Sequence, residues 1–303
     1  MAEIAASMVM ELRQRTGLGM MECKKALTES AGDLAKAEDL LRIRSGAKAS
    51  KAASRVAAEG VIGLFVAPDA KVGAMVEVNC ETDFVAKNDD FRAFAAEIAQ
   101  LVARHAVADV ATLSTLALAS GETVEARRVT LVQKIGENIA LRRLVRTEAK
   151  GRLASYVHGS RIGVLVDVTG GADTLGKDLA MHVAALKPIT VEKSQVPAEV
   201  IAKEREIAAA QVAEDGKTGD MAAKIVEGKV NKAISALTLV GQAFVKGDGK
   251  QTVDQLLKAQ KATVNGFDMF VVGEGIEKKK DDFAGEVAAM TKPRPPDGPG
   301  ATV

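Results

Sequence analysis

The sequence has few aromatic residues and no excess of charge of either sign. Its 303 residues include eight Phe, one Tyr and no Trp, and 41 Lys plus Arg stand against 40 Asp plus Glu, a formal charge of +1. Proteins that stack on nucleic-acid bases need several exposed rings, and phosphate backbones attract basic surfaces. These two absences argue against a direct nucleic-acid partner.

Cysteines and long apolar runs are also scarce. Cys23 and Cys80 are the only cysteines, and they form neither a CxxC pair nor the dense pattern of a secreted disulfide domain. No apolar run approaches the roughly 20 residues that span a bilayer. The N-terminal residues MAEIAASMVMELRQR do not follow the pattern of a signal peptide. We therefore expect reduced thiols, no membrane association and a cytoplasmic location.

Residues 1–55 predict a compact module of three helices followed by a linker. Apolar residues repeat at helical spacing from Ile4 to Leu12, TGLG interrupts the pattern, and MMECKKAL resumes it. The third helix is predicted over LAKAEDLLRI, with Asp33 as its N-cap and Gly46 at its end. The small, basic segment after it predicts a linker or a loosely packed helix.

The chain beyond this module contains an internal repeat. VGAMVEV at 72–78 aligns with IGVLVDV at 162–168, and each copy predicts the order strand, strand, helix, helix, strand. This order gives a small three-stranded antiparallel sheet with helices on one face, so the predicted class is α+β. The first core subdomain is predicted at 56–150, and the second at 151–193 together with 237–275.

The second copy is interrupted by a predicted antiparallel helical hairpin at 194–236. Its first helix presents Val200, Ile201, Ile207 and Val212 to Met221, Ile225, Val230 and Ile234 of the second helix. A C-terminal helical module follows at 276–292, and a Pro-rich tail, PRPPDGPGATV at 293–303, is predicted to be disordered.

One segment has the approximate pattern of a nucleotide-binding loop. Gly171 to Asp178, GADTLGKD, nearly matches GxxxxGK[ST], but Asp178 stands where a P-loop needs a hydroxyl for magnesium. The alternative interpretation is a strand-to-helix turn with glycines at positive φ. The three histidines are not spaced as metal ligands, and we predict neither a metal site nor another cofactor.

A second segment of interest follows the second predicted strand. It runs from Val76 to Asn88, VEVNCETDFVAKN, and delivers Phe84 into a loop before Asn88 can cap the next helix. Phe84 either folds back onto the sheet or projects as an anchor, and periodicity alone leaves both possibilities open. Met20 and Met21, after TGLG, present the same choice between core packing and a partner surface.

Eight ordered segments together resemble the bacterial elongation factor Ts family, the guanine-nucleotide exchange factors of elongation factor Tu. They are ELRQRTGLGMMECKKAL, VEVNCETDFVAKNDDF, KIGENIALRR, HGSRIGVLVDV, LAMHVAALKP, KIVEGKVNK, GQAFVK and GEGIEKKKDDFAGEVAAM. The resemblance covers nearly the whole chain. It implies a ubiquitin-associated-like helical module, two related core subdomains, an inserted hairpin and a C-terminal helix.

The resemblance also implies a function without covalent chemistry of its own. The protein would bind elongation factor Tu·GDP and promote GDP release so that GTP can bind. Thr82, Asp83, Phe84 and Val85 would form a loop that enters the partner near its magnesium and β-phosphate site. Asp83 would either perturb partner groups or fix the loop's shape. Further partner contacts would come from Leu12, Met20, Met21, His158 and Met290.

Three features depart from the family pattern, and two alternative functions remain. GQAFVK has Ala where relatives commonly have Pro, the second helix of the hairpin lacks the aromatic residue often seen near KIVEGKVNK, and the PRPPDGPGATV tail has no counterpart in that pattern. The hairpin would contact another partner domain or a second copy of the chain. The alternatives are a nucleotide-hydrolysing enzyme that uses Gly171 to Asp178, and a structural helical adaptor without effect on nucleotide release.

Overall fold

The computed structural model describes residues 4–247 and 249–277. The predicted C-terminal helix around Phe283, Val287 and Met290 and the predicted tail at 293–303 lie outside the described residues. Within the described ranges the chain forms eleven α-helices and two three-stranded sheets. This architecture confirms the α+β class, while the predicted domain boundaries remain predictions.

The N-terminal module consists of three helices: α1 (Ala6–Thr16), α2 (Met20–Glu29) and α3 (Leu34–Ala52). As predicted, Asp33 caps α3, and its carboxylate accepts the backbone N–H of Lys36 at 3.0 Å. The predicted end of α3 at Gly46 is wrong, since the helix continues for six more residues.

The continuation of α3 has a packing explanation. Ala37, Leu41, Ser45, Ala49 and Ala52 recur at intervals of three or four residues and are all buried. Ala49 and Ala52 join the core of the first subdomain rather than that of the N-terminal module. This burial offsets the cost of about 1 kcal/mol for a glycine inside a helix. The segment expected to be a linker or a loosely packed helix is therefore helical as far as Ala52 and packs on the first subdomain.

The first subdomain follows the predicted order. Its elements are β1 (Glu59–Val66), β2 (Val72–Cys80), α4 (Asp83–Ala86), α5 (Asp89–His105), α6 (Val110–Thr115), α7 (Val124–Ile135) and β3 (Ala140–Glu148). The strands are antiparallel in the order β1-β2-β3. The amphipathic helix α5 packs on the sheet through Phe91, Phe94 and Ile98, which are buried.

The second subdomain repeats this plan around the inserted hairpin. Its elements are β4 (Arg152–His158), β5 (Ile162–Thr169), α8 (Leu175–Leu186), α9 (Ala198–Glu214), α10 (Gly219–Leu237), α11 (Val253–Ala259) and β6 (Thr263–Val271). The strand order is β4-β5-β6, again antiparallel. None of the described helices is both long and apolar enough to cross a membrane.

The two sheets pack against each other through their faces opposite the helices. Ile62, Met75, Leu165 and Val272 form one buried cluster between them. The sheets approach so closely at Gly163 that a Cβ there would lie 2.5 Å from Cγ2 of Ile62. A side chain at this position would push the sheets apart, so the close approach requires glycine.

Hydrogen bonds to the central strands also connect the two subdomains. Glu77 of β2 and Asp167 of β5 are buried and occupy equivalent places, each beside a register shift in its sheet. Glu77 accepts the backbone N–H of Gly273, just after β6, at 2.8 Å. Asp167 accepts the N–H groups of Lys150 and Gly151, just after β3, at 2.8 and 3.0 Å. A buried carboxylate of each subdomain thus binds the backbone just after the third strand of the other subdomain.

The hairpin formed by α9 and α10 has a seam that differs from the predicted one. Ala208, Val230 and Ile234 are buried along it, and Val212 of α9 is also buried, whereas Ile207 and Met221 are exposed, Met221 by 72%. On α9 the contact stripe includes Ile201 and Ala208, two turns apart on one face of the helix, and Ile207 lies one position off that stripe. Small Ala208 takes the place predicted for the larger Ile207.

Candidate functional site

The segment after β2 forms a single helical turn that presents Phe84 to solvent. Thr82 is the N-cap of α4, and Val85 and Ala86 are buried against the core of the first subdomain. Because the turn points Val85 inward, its neighbour Phe84 faces outward and is 79% exposed. The choice left open by the sequence is resolved in favour of a projecting aromatic side chain.

The base of this turn is held by a carboxylate from another loop. Glu137, between α7 and β3, accepts the backbone N–H groups of Glu81 and Thr82 at 3.1 and 3.0 Å and the Thr82 hydroxyl at 2.6 Å. The three hydrogen bonds that this one carboxylate accepts fix the start of α4. The position of Phe84 therefore depends on a residue 53 positions away in the sequence (137 minus 84).

Cys80 lies beneath the turn as a neutral thiol. Its burial, together with the negative charges of Glu137 and Glu59, raises the pKa of Cys80 to about 12. The protonated sulfur donates to the carbonyl oxygen of Thr82 at 3.2 Å. The thiol is thus a packing and hydrogen-bonding group rather than a nucleophile.

Asp83 is exposed beside Phe84 and pairs with Lys87 one helical turn later, at 2.6 Å. The hydrogen bond from Lys87 is the main cause that lowers the pKa of Asp83 below its usual value. The Lys87 ammonium also lies 5.8 Å from the Phe84 ring centroid. Near neutral pH the turn therefore carries an apolar ring with a carboxylate and an ammonium beside it.

The other predicted contact residues lie on separate elements. Met20 and Met21 begin α2 and are 48% and 74% exposed. His158, at the end of β4, is exposed, and its Nδ1 lies 3.0 Å from the Tyr156 hydroxyl. Leu12 is fully buried in the three-helix core, so its side chain presents no surface. Met290 lies outside the described residues.

The Gly171 to Asp178 segment is a strand-to-helix turn. Gly170 and Gly171 have φ of 76° and 73°, and α8 begins at Leu175. A Cβ on Gly171 would lie 2.4 Å from Cδ2 of Leu175, so an apolar side chain covers the glycine. Asp178 forms an ion pair with Lys246 at 2.6 Å. The geometry favours the turn interpretation over a phosphate-binding loop.

The KIGENIALRR segment contains Glu137, to which the sequence pattern alone assigns no role. A usable signal was present, because in an antiparallel pair the start of β3 must lie beside the end of β2. Asn79 pairs with Ala140, and the residues just outside the pair, 81–82 and 137–138, consequently meet. A Glu immediately after the helix-ending Gly136 was thus a candidate partner for the TDFV turn.

Known proteins provide an independent comparison. The model of the family "Elongation factor TS" matches residues 81–274. Elongation factor Ts of Nitrosomonas eutropha is 60% identical over 290 residues, which cover 96% of this chain and 98% of that protein. The proteins of the same name from Burkholderia thailandensis and Burkholderia mallei are 60% and 59% identical over the same coverage. The chain belongs to the elongation factor Ts family.

Proposed function

We propose that this protein is a translation elongation factor that binds elongation factor Tu·GDP and accelerates the release of GDP. The observation that carries the proposal is Phe84, which is 79% exposed on a turn whose neighbours are buried and hydrogen-bonded. An aromatic side chain held in this way is pre-organised to enter a pocket on a partner, since little freedom is lost on binding. Membership of the family supplies the identity of the partner.

The TDFV turn acts as a wedge near the magnesium and β-phosphate site of the partner. An acceleration of about ten-thousandfold would require about 5.5 kcal/mol of differential stabilisation. Burial of one Phe supplies about 1.5 to 3 kcal/mol. The remainder must come from other contacts with the opened partner, for which exposed Met20, Met21 and His158 are available. The role proposed for Leu12 is indirect, through packing of the module.

Asp83 acts by perturbing partner groups around the magnesium ion. It is exposed, ionised near neutral pH and adjacent to Phe84. Capture of the ion by Asp83 alone is disfavoured, because one carboxylate cannot replace the near-octahedral shell that magnesium requires. Val85, being buried, anchors the turn instead of touching the partner.

The α9–α10 hairpin contacts another domain of elongation factor Tu or a second copy of this chain, and its exposed Met221 and Ile207 are the apolar groups available for that contact. The factor works in the cytoplasm, uses no cofactor of its own and performs no covalent chemistry.

The proposal is tested by stopped-flow measurement of the release of fluorescent GDP from elongation factor Tu. At a saturating concentration of factor, GDP should leave elongation factor Tu much more slowly with the Phe84→Ala variant than with the parent protein. An unchanged rate would refute the wedge. Binding of the factor without any acceleration, in parent and variant alike, would favour the structural adaptor.

A further inference from the structure

Two carboxylates join the TDFV turn to the start of β3, because each accepts a backbone hydrogen bond from the segment that carries the other. Glu137 accepts from the backbone of Glu81 and Thr82, and Glu81 in turn accepts the backbone N–H of Asn138. Each loop therefore supplies an acceptor to the backbone of the other. We refer to Glu81, Glu137, Asn138 and Arg55 as the interlock.

Through Arg55, the segment that follows the N-terminal module also takes part in the interlock. Its guanidinium lies 3.2 Å from the Glu81 carboxylate and donates to the carbonyl oxygen of Gly136 at 3.1 Å. The Asn138 amide donates to the carbonyl oxygen of Arg55 at 2.8 Å. Arg55 lies between the end of α3 and the start of β1. The same cluster thus fixes the turn, the start of β3 and the segment that leads from the module.

We propose that Glu137 is a positioning residue for nucleotide exchange, which holds Phe84 at the angle needed to enter the partner. This inference rests on the function proposed above and deepens it. The turn itself is only four residues long, too short to be stable by helix propensity alone. Its order must come from Val85 and Ala86 below and from Glu137 at its start. Without the carboxylate, Phe84 remains exposed but samples several orientations.

This arrangement predicts a specific kinetic signature. Phe84 would still reach the partner surface, so the factor concentration for half-maximal exchange should change less than about twofold in Glu137→Ala. The saturating rate of GDP release should fall about tenfold, within the hundredfold that a misplacement of about 1 Å can cost. A protein that is merely less folded would instead raise the factor concentration needed for half-maximal exchange and leave the saturating rate unchanged.

A conservative variant and a matched control variant distinguish a positioning role of Glu137 from a general loss of folded structure. Glu137→Gln keeps one acceptor oxygen for the two backbone N–H groups, so it should recover most of the lost rate. Glu97→Ala is the control, because Glu97 accepts the N–H of Ala119 at 3.2 Å in another loop of the same subdomain. This control should exchange like the parent. If Glu137→Ala does not fold, Glu137→Gln carries the test with a loss of about two- to threefold in saturating rate.

The deciding experiment is a double-mutant cycle with Phe84→Ala in the same fluorescent-GDP assay. If Glu137 acts through Phe84, adding Glu137→Ala to Phe84→Ala should slow release by less than about twofold. Additive losses, or an unchanged rate in Glu137→Ala, would overturn the positioning role while Phe84→Ala alone still supports the wedge. A normal rate in Phe84→Ala would refute the wedge and, with it, any role of Glu137 in aiming it.

Discussion

At the scale of single residues, Cys80 is a buried, neutral group beneath the exposed TDFV turn. The sulfur lies within the core, donates to the Thr82 carbonyl and sits near two carboxylates. Each of these surroundings disfavours a thiolate. The second cysteine, Cys23, is also free and buried.

Cys80 should therefore be inert in the folded protein. At pH 8, a thiol reagent such as 5,5′-dithiobis(2-nitrobenzoate) should react with neither cysteine until a denaturant is added, and with both afterwards. Rapid labelling of Cys80 in the native protein, located by peptide mass spectrometry, would contradict the buried position of this residue.

The pKa of Cys80 also makes a prediction about alkaline stability. The unfolded thiol ionises near 9.0, whereas in the folded protein the pKa is about 12. Between these values the unfolded state has lost a proton that the native state keeps, so the contribution of this thiol to stability falls as pH rises. In Cys80→Ala this contribution should vanish, and urea unfolding at pH 8 and pH 10 would measure the difference.

At the scale of elements, Glu77 has four hydrogen-bond partners, twice as many as Asp167, the other buried acid in the described part of the chain. Arg142 and Arg143 of β3 donate to it at 2.9 and 2.6 Å, and Asn79 and the backbone of Gly273 add two further bonds. Burial by itself raises the pKa of Glu77, but these four donors outweigh it and the net pKa is lowered. The network joins β2 and β3 to the loop after β6.

Glu77→Gln should destabilise the protein by about 3 kcal/mol, because a buried partner of charged groups is removed. The control is Glu148→Gln, whose carboxylate pairs with Arg146 on the same sheet but is 70% exposed; its cost should be below about 1 kcal/mol. Urea unfolding compares the two variants. An equal loss of unfolding free energy in the two variants would show that the buried network stabilises the protein no more than an exposed ion pair does.

The same variant should change the response to acid. Since the native pKa of Glu77 is lowered from 4.5, its contribution is present above pH 4.5 and is lost as pH falls through the native value. Glu77→Gln should accordingly lose less stability than the parent on acidification from pH 6 to pH 3. A larger loss in the variant would contradict the sign of the shift.

Most elements were predictable from the sequence because their signals are local. The repeat, the apolar runs of the central strands and the cap at Asp33 specify the α+β plan without knowledge of tertiary contacts. The end of α3 was not predictable from Gly46, since the residues that stabilise the extra turns belong to another unit's core. The exposure of Phe84 and the role of Glu137 likewise depend on contacts distant in sequence.

At the scale of the whole molecule, exchange is a coupling between two ligands of one partner. If the factor weakens GDP binding to elongation factor Tu by a given ratio, GDP must weaken binding of the factor by the same ratio. Calorimetric titration of the factor into nucleotide-free and GDP-saturated partner gives one ratio. The GDP affinity with and without the factor gives the other, and unequal ratios would exclude a simple ternary complex.

The small aromatic content of the chain bears directly on the proposed role of Phe84. The 303 residues include eight Phe, and Phe84 is 79% exposed, so its burial by a partner would contribute about 1.5 to 3 kcal/mol. Ile43 offers a matched control, because it is apolar and 70% exposed on α3 but has no assigned role. The two side chains can be truncated without disturbing a buried core.

The most direct test is the saturating rate of fluorescent GDP release from elongation factor Tu with the parent, Phe84→Ala and Ile43→Ala proteins. The loss of about 1.5 to 3 kcal/mol of apolar burial predicts a rate about ten- to a hundredfold lower for Phe84→Ala. Ile43→Ala should match the parent. Equal rates for all three proteins would contradict the claim that Phe84 drives GDP release.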